Sequence, residues 1–397
     1  MIVTSWAGCR WILIKAGLWA ADTTEMLHPA NSETSVLQAE LEHEDESAWS
    51  RKIVADLYTP RPVIYWTDLF LTALIGWGAF VLAVAARPGS WPMWAFGFVA
   101  VVALYRGSIF AHELSHLRTS ALPGFSAVWD VLFGIPLLVP AVVYVGMHKD
   151  HHTISTYGTK RDPEYFPFAG AKARIACFAV TSFLLPVIVF LRFILLSPVG
   201  LCWPRFHRGL ERHASSLTIN HAYEREMSPR EHVRTVVTEV AILLAWGLVI
   251  ALAARGGLPV RTFAVWYGVV ATTGFVNTLR TLGAHRYESD GQPMSRLEQL
   301  ADSIDTPGAF WTELWAPVGL RYHALHHYFP GLPYHSLRTA YLRLTAALGP
   351  ETVYRRASSP SLGASLHTLW EGAPHAASGV RDELGEKENA VRVNRVA

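Results

Sequence analysis

Six apolar segments alternate with polar loops through the middle of the chain, and this pattern predicts helices. The segments cover residues 64–86, 91–111, 127–146, 174–197, 236–254 and 262–282. Crossing a bilayer takes about 20 apolar residues, because a helix rises about 1.5 Å per residue through roughly 30 Å of hydrocarbon. All six segments approach this length, so we expect an all-α integral membrane protein.

Tight connectors join the first two segments and the last two. Residues 87–91 read Arg-Pro-Gly-Ser-Trp, and residues 256–260 read Gly-Gly-Leu-Pro-Val. Connections this short bring consecutive helices back antiparallel. Each pair therefore predicts a hairpin that crosses the membrane and returns, which gives four transmembrane helices in two hairpins, with both tight turns facing outward.

The two middle segments, 127–146 and 174–197, are expected to be shallow or re-entrant. Helix breakers and charged residues interrupt them, and irregular backbone is tolerated at membrane depth only where protein or water covers it. The interrupting residues are Asp130, Gly134, Pro136, Pro140, Pro186 and Arg192. Six arginines in the following loop, 198–234, place that loop in the cytoplasm by the positive-inside rule.

The apolar segments define one central domain between two tails. Residues 1–60 are of mixed polarity and are expected to form an N-terminal cytoplasmic tail. Residues 356–397 are polar and aperiodic, which is typical of a disordered tail. Residues 61–355 between them would fold as a single membrane domain.

Composition agrees with a membrane protein and excludes several other classes. Hydrophobic residues make up 51% of the chain and charged residues only 17%, against about 25% charged residues in soluble domains. The formal net charge of +2, without a basic block beside aromatic positions, argues against nucleic acid as a partner. Three scattered cysteines are too few for a disulfide framework or an iron–sulfur cluster.

Histidine is frequent, with 18 residues, and eight of these lie in three clusters. The clusters are His112-Glu-Leu-Ser-His116, His148-Lys-Asp-His151-His152 and His323-Ala-Leu-His326-His327. Spacings of three and four residues put the imidazoles of each cluster on one helical face. Neutral imidazole is a good ligand for iron, copper, zinc and nickel. The clusters are therefore interpreted as metal ligands, and isolated histidines such as His207 and His232 as structural residues.

Eight imidazoles are too many for a single metal ion, since zinc sites use three or four protein ligands. Two metal ions with four or five ligands each fit the number. In the expected topology all three clusters emerge on the cytoplasmic face, where a helical cap would hold them. His285 lies at the same end of the last apolar segment and is a candidate ninth ligand.

Carboxylates close to the clusters could orient the imidazoles by accepting their second ring N–H. Five are near enough in sequence or spacing to be considered: Glu113, Asp150, Asp162, Glu164 and Asp302. The first cluster also satisfies H-E-x-x-H, the motif of zinc metalloproteases in which the glutamate is the general base. That alternative leaves the other two clusters unexplained.

The three clusters resemble the histidine boxes of the membrane fatty acid desaturase family, H-x(3,4)-H followed by two H-x(2,3)-H-H. The resemblance extends over roughly residues 60–345 and includes the segments 157–165 (Tyr-Gly-Thr-Lys-Arg-Asp-Pro-Glu-Tyr) and 322–330 (Tyr-His-Ala-Leu-His-His-Tyr-Phe-Pro), which look like those of bacterial members. It implies a di-iron centre beneath four spans, which uses O₂ and two electrons to insert a double bond into a lipid acyl chain. The iron ligands that it implies are His112, His116, His148, His151, His152, His285, His323, His326 and His327.

Two departures lead away from an acyl-CoA substrate. Animal acyl-CoA desaturases have four residues inside the first box, where this chain has three. They also have an asparagine four residues before the extra histidine, where this chain has Thr281, with Asn277 one turn earlier. Membrane hydroxylases acting on alkanes, sphingolipids or sterol-like chains and carotenoid oxygenases share the boxes, so hydroxylation remains the alternative reaction.

The electrons must come from another protein on this interpretation. The chain has no cysteine cluster for an iron–sulfur centre, no G-x-G-x-x-G motif for a flavin or nicotinamide, and no recognisable haem-binding module. We therefore expect a ferredoxin or a cytochrome b5-like protein, with its reductase, to dock from the cytoplasm. The bacterial resemblance implies an inner-membrane location, with membrane lipids as surroundings and the catalytic face in the cytoplasm.

Overall fold

The structure is a computed structural model and describes residues 48–372. The predictions for residues 1–47 and 373–397 lie outside the described part. The helices of the membrane region are α1 (Pro62–Ala85), α2 (Trp91–His116), α3 (Phe125–Leu137), α4 (Val145–His151), α5 (Lys172–Cys202), α6 (Pro204–Ala214), α7 (Pro229–Ala254) and α8 (Arg261–Leu282). The remaining helices are α9 (Arg296–Asp302), α10 (His323–Tyr328), α11 (Tyr334–Ala347), α12 (Val353–Arg356) and α13 (Leu362–Glu371).

Residues 48–53 at the start of the described part are helical, and short 3-10 turns and isolated bridges complete it. The turns cover Ala55–Leu57, Ala141–Val143 and Phe310–Leu314, and α5 contains a 3-10 turn at Ser182–Leu184 and a π turn at Leu191–Leu196. Extended pairing among the described residues is limited to isolated bridges such as His285 with Ser303. The prediction of an all-α protein is confirmed.

The helices α1 and α2 pack along their length as the predicted first hairpin. Gly89, at a φ of 76°, supplies the left-handed backbone that the turn between them requires. Inside the hairpin Arg106 of α2 lies 2.5 Å from the Asp68 carboxylate of α1. Asp68 also accepts a hydrogen bond from the Tyr334 hydroxyl at 2.8 Å, which ties the hairpin to α11.

Four described helices are long and apolar enough to cross a membrane, namely α1, α2, α5 and α7. The prediction named α8 instead of α5. The helix α8 is less apolar because it carries polar residues such as Asn277 and the buried Arg280 near its end, whereas α5 exposes apolar side chains such as Val187 and Leu195. By length and composition, α5 therefore qualifies as a possible membrane span and α8 does not.

Contacts at the two ends of α5 agree with the predicted shallow path. At its start, Ile175 packs in one cluster with Leu282, the last residue of α8. Just after its end, His207 binds Glu239 of α7 at 2.9 Å. After α6, the Leu217 N–H donates to the Val143 carbonyl at 3.1 Å. Both ends of α5 thus lie at the same end of the bundle, where α8 finishes and α7 begins.

The segment 127–146 is a re-entrant pair, as predicted. The helices α3 and α4, with the 3-10 turn between them, are bent by 84° at a break, where Leu138 has a φ of 59°. The Ala141 N–H across the break donates to the Asp130 carboxylate at 2.7 Å. The chain enters beside the ends of α1 and α2, where Phe125 meets Tyr65, and returns to the same end.

The tip of the re-entrant pair is held by tryptophan side chains from three helices. Indole N–H groups of Trp77, Trp246 and Trp266 donate to the carbonyls of Leu132, Ile135 and Pro136, at 2.7, 3.1 and 2.9 Å. The break frees carbonyls that a regular helix would bind, and a buried carbonyl needs a partner. The indoles supply these partners.

The C-terminal region is more ordered than the sequence predicts. Residues 356–397 were expected to be disordered, but Leu362–Glu371 forms α13. Leu369 is only 3% exposed and packs with Phe168 and Tyr287, and its carbonyl accepts the Gly170 N–H at 2.9 Å. The apolar residues 362, 366 and 369 form a short helical stripe that the polar composition of the region conceals.

Candidate metal centre

Nine buried or half-buried histidines meet at one end of the helical bundle. They come from the last turn of α2, from α4 and the residue after it, from α10, and from the turn after α8. One group contains His112, His116, His148, His152 and His326, and a second contains His151, His285, His323 and His327. Within each group one nitrogen per residue lies within 4.8 Å of all the others, so each group can hold one metal ion.

The H-x-x-H-H spacing explains how two helices serve both groups. In α4, His148 and His152 are four residues apart and join the first group, while His151 between them joins the second. In α10, His323 and His327 join the second group and His326 the first. Residues four apart share a helical face, and the intervening residue points to the neighbouring one.

Ring nitrogens point at one another across both groups. The Nε2 atoms of His285 and His323 are 2.8 Å apart, and the Nε2 atom of His326 lies 3.1 Å from that of His116 and 3.2 Å from that of His152. Both ring nitrogens of His112 and Nε2 of His151 are buried without a hydrogen-bond partner. Converging lone pairs of this kind are what metal ions bind, so the donor set fits two transition-metal ions.

Burial keeps four of the histidines outside the membrane spans in the neutral form that metal binding requires. Removal from water lowers the pKa of His285 and holds the pKa values of His323, His326 and His327 well below the usual range, with the neighbouring histidines adding to the effect. A protonated imidazole has no free lone pair and cannot coordinate. These rings are therefore ready to coordinate at neutral pH.

Three of the five predicted carboxylates orient histidines. Asp162 lies 2.9 Å from Nδ1 of His151, and Glu164 lies 2.6 Å from Nδ1 of His148. Burial raises the pKa of Glu164 to about 7. A partner on Nδ1 fixes the tautomer and leaves Nε2 free to face the metal.

The third carboxylate, Asp302, acts with a tyrosine that the sequence did not single out. The Tyr157 hydroxyl lies 2.9 Å from Nδ1 of His285 and donates to Asp302 at 2.8 Å. Burial acts to raise the pKa of Asp302, but hydrogen bonds from His285, the Glu288 backbone and Tyr157 outweigh it and hold the pKa low. Tyr157 begins the segment 157–165, which resembles bacterial desaturases. Nothing in its spacing indicates contact with His285, 128 residues away.

The other two predicted carboxylates face away from the metal centre, so the prediction was wrong for them. Glu113 accepts hydrogen bonds from the Tyr65 hydroxyl at 2.6 Å and the Tyr334 N–H at 3.2 Å. Asp150 accepts one from the Tyr223 hydroxyl at 2.6 Å. Each residue adjoins a histidine in sequence, and neighbours along a helix point in different directions.

Asp305 is a further residue that sequence reasoning missed. Its carboxylate accepts the Leu325 N–H at 3.1 Å and so caps the first turn of α10. The Tyr354 hydroxyl donates to the same carboxylate at 3.2 Å, and burial raises the pKa of Asp305 to about 7. Asp305 fixes the start of the helix that carries three of the nine histidines.

Asn277 and Thr281 bind an arginine. Thr281 stands where animal acyl-CoA desaturases have an asparagine, and Asn277 lies one turn earlier. The Arg280 guanidinium lies 3.3 Å from the Asn277 amide oxygen and 3.0 Å from the Thr281 hydroxyl oxygen. Arg280 itself is only 7% exposed. Both side chains thus serve to hold a buried cation near the end of α8.

The chain is similar in sequence to known proteins over most of its length. The family model for fatty acid desaturases matches residues 89–359, which include all nine histidines. The chain belongs to the fatty acid desaturase family. A ceramide hydroxylase from Caulobacter vibrioides is 39% identical over 320 residues, which cover 80% of this chain and 91% of that protein.

Membership of the fatty acid desaturase family makes the protein an oxidoreductase of the membrane di-iron class. The predicted family is thus confirmed, and the apolar helices agree with a multi-pass membrane protein. The zinc-protease alternative loses its general base, because Glu113 is bound to Tyr65 and not aimed into the histidine groups. His112 and His116 instead share their metal position with histidines of the other two boxes.

Proposed function

We propose that the protein is an O₂-dependent oxygenase of lipid acyl chains, and that its reaction is hydroxylation of a ceramide-type lipid. The observation that carries this is the meeting of nine histidines in two groups of five and four. The similarity to a ceramide hydroxylase along 91% of that protein supports the choice of reaction and substrate class. Desaturation, the reaction first predicted from the sequence, is the second candidate, supported by the family match.

Each histidine group would hold one iron ion. Bound iron supplies the O₂ activation that amino-acid side chains cannot provide. The chain itself contributes the ligands, and Asp162, Glu164 and the Tyr157–Asp302 pair keep His151, His148 and His285 in the tautomer that presents Nε2. Their rigidity would keep both ions at fixed positions relative to the substrate.

An acyl chain would reach this centre from the lipid side. The apolar core of the spans continues to Ala111, which directly precedes His112. Arg106 and Asp68, lower in the same hairpin, are paired with each other and so leave no free charge there. A lipid tail could therefore lie along apolar side chains, with its reacting carbon close to the histidines.

Product analysis with labelled oxygen tests this function. Membranes containing the protein would be supplied with ceramide, a reductant system and ¹⁸O₂, and the lipids analysed by mass spectrometry. Hydroxylation adds one labelled oxygen atom, whereas desaturation removes two hydrogens and adds no label. We expect the labelled product from the wild type and none from His326→Ala. His367, exposed on α13, provides the matched control, and His367→Ala should equal the wild type.

The electron donor is proposed to be a separate ferredoxin or cytochrome b5-like protein. Reconstitution would compare a ferredoxin with its reductase against cytochrome b5 with its reductase, at equal electron supply. Product from one system and not the other identifies the donor class. Product formed with NADH or NADPH alone would contradict an external donor.

A further inference from the structure

A third group of metal-ligand residues lies outside the di-iron centre. His207 and Glu211 are one turn apart on α6, and His232 lies in the first turn of α7. One ligand atom from each lies within 4.8 Å of the other two. None of them takes part in the proposed oxygenase reaction.

The contacts of His207 leave its Nδ1 available to a metal ion. Its Nε2 lies 2.9 Å from the Glu239 carboxylate, which accepts the ring N–H. Its Nδ1 then faces the Glu211 carboxylate at 3.6 Å, which is too long for a hydrogen bond. Two lone pairs that face each other in a buried site repel unless a proton or a metal cation lies between them.

The separation suits a metal ion. Zinc binds imidazole nitrogen and carboxylate oxygen at about 2.0–2.2 Å in tetrahedral geometry, so two of its ligand atoms lie roughly 3.3–3.6 Å apart. The Nδ1 of His232 lies 2.7 Å from Glu211, and this histidine side chain is 47% exposed and free to adjust. The three residues therefore offer two imidazoles and one carboxylate around one point.

The charge balance also calls for a cation. Glu211 and Glu239 are 7% and 1% exposed, and a buried carboxylate is costly without a partner. Arg192 donates to Glu239 at 2.6 Å and so neutralises that one. The partners of Glu211 are His207 and His232, because Arg212 is bound to Glu224. A cation held by all three residues would neutralise Glu211.

A cavity beside the three residues would let a metal ion enter from solvent and would hold water as its fourth ligand. A cavity of about 480 Å³ is lined by Glu211, Arg208 and Arg225, among others. It has room for water, and a water molecule commonly completes a zinc site that has three protein ligands. Together with the exposed edge of His232, this cavity gives an ion access from solvent.

We propose that His207, Glu211 and His232 form a zinc site, separate from the di-iron centre, that fastens α6 to the start of α7. Glu239 holds His207 from behind, and Arg192 holds Glu239, as is usual for metal-bound histidines. The loop 215–228 between the two helices binds the turn before α4, through the hydrogen bond from Leu217 to Val143. The zinc ion would therefore clamp a loop that supports the metal-binding helix α4.

Metal analysis of matched variants tests the site. Full-length protein in detergent would be loaded with iron, then equilibrated with zinc, desalted and analysed for both metals. We expect the wild type to retain one more zinc per chain than His232→Ala and Glu211→Gln, with equal iron in all three. His213, exposed one turn along α6 at 44%, gives the control His213→Ala, which should match the wild type.

Cobalt replaces zinc as a second readout that does not depend on activity. Cobalt in a tetrahedral site of nitrogen and oxygen ligands absorbs visible light strongly, and this absorption should be absent from His232→Ala. Because His232 is half exposed, its variant should fold even if Glu211→Gln does not. Equal zinc contents in the wild type and His232→Ala, or the same cobalt spectrum from both, would overturn the proposal.

Discussion

The Nε2 atoms of His285 and His323 face each other at 2.8 Å, although 38 residues separate them in the chain. His323 belongs to the third histidine box, whereas His285 belongs to none. The contact makes His285 an equal member of the second histidine group, together with His151 and His327. A histidine outside the three boxes thus contributes to a ligand group in the same way as the box histidines do.

Replacing His285 should be as damaging as replacing a box histidine. We expect His285→Ala to lose product below detection, because its group would keep only three imidazoles. Iron content should fall towards one ion per chain while the protein remains monodisperse in detergent. Normal product levels from His285→Ala would remove this residue from the proposed ligand set; His335→Ala, altered outside both groups, serves for comparison.

Purified protein should contain two iron ions per chain. The two groups of five and four histidines motivate this number. The measurement is elemental analysis of protein loaded anaerobically with ferrous iron, with any zinc counted separately. A preparation that is active with one zinc and no iron would contradict the di-iron assignment.

Asp162 should matter far more than Asp150, although both were candidates from the sequence. Asp162 binds His151, whereas Asp150 binds Tyr223. Loss of a carboxylate behind a metal-bound histidine typically costs about 10–100-fold in metal affinity or activity. We expect a loss of that size for Asp162→Asn and near-normal behaviour for Asp150→Asn, measured as iron retention against a chelator.

The tryptophans around the re-entrant tip should contribute to stability. Trp266→Phe keeps most of the ring but removes the indole N–H that donates to the Pro136 carbonyl, at a cost of about 1–3 kcal/mol for a buried group. We expect a lower Tm in detergent than for the wild type. Trp94→Phe, at a position that is 66% exposed, is the matched control and should leave the Tm unchanged.

Single cysteines in a cysteine-free background can test the topology with an impermeant thiol reagent. We expect labelling from outside at Ser90→Cys and Gly257→Cys, in the two tight turns. Ser155→Cys and Glu226→Cys, both exposed beside the metal end of the bundle, should be protected in intact cells and labelled after lysis. Ser215 is unsuitable because it is 1% exposed. Labelling of position 155 in intact cells would contradict a cytoplasmic metal centre.

The sequence predicted the histidine groups well because their spacing is local. Two H-x-x-H-H motifs define which imidazoles share a helical face, and breakers such as Pro140 mark the re-entrant pair. Hydrogen-bond partners that are distant in sequence have no such local pattern. The bond from Tyr157 to Asp302 and the cap that Asp305 gives α10 depend on how distant segments pack. The orientation of Glu113 depends equally on the neighbouring Tyr65.

The same limit explains why composition alone ranks α5 above α8 as a membrane span. Hydropathy measures a helix by its average and cannot distinguish lipid contact from protein contact. The helix α5 is strongly apolar because it exposes much of its surface, while α8 is less so because it faces the metal centre with polar residues. The contacts of Ile175 and His207 place both ends of α5 at the same end of the bundle. They agree with the shallow path that the helix breakers of this segment predicted.

The indole donors at the re-entrant tip have a consequence for biogenesis. The Pro136 carbonyl depends on Trp266, and the Ile135 carbonyl receives a second hydrogen bond from Trp246. Both tryptophans are synthesised more than 100 residues later. A ribosome releasing this chain would therefore insert the re-entrant pair before its partners exist, and bare carbonyls are unfavourable in hydrocarbon. Residues 125–151 must then wait in a hydrated or shielded setting until the second hairpin arrives. Membrane integration of this enzyme thus ends with a late docking step, and assembly of its metal centre has to follow that step.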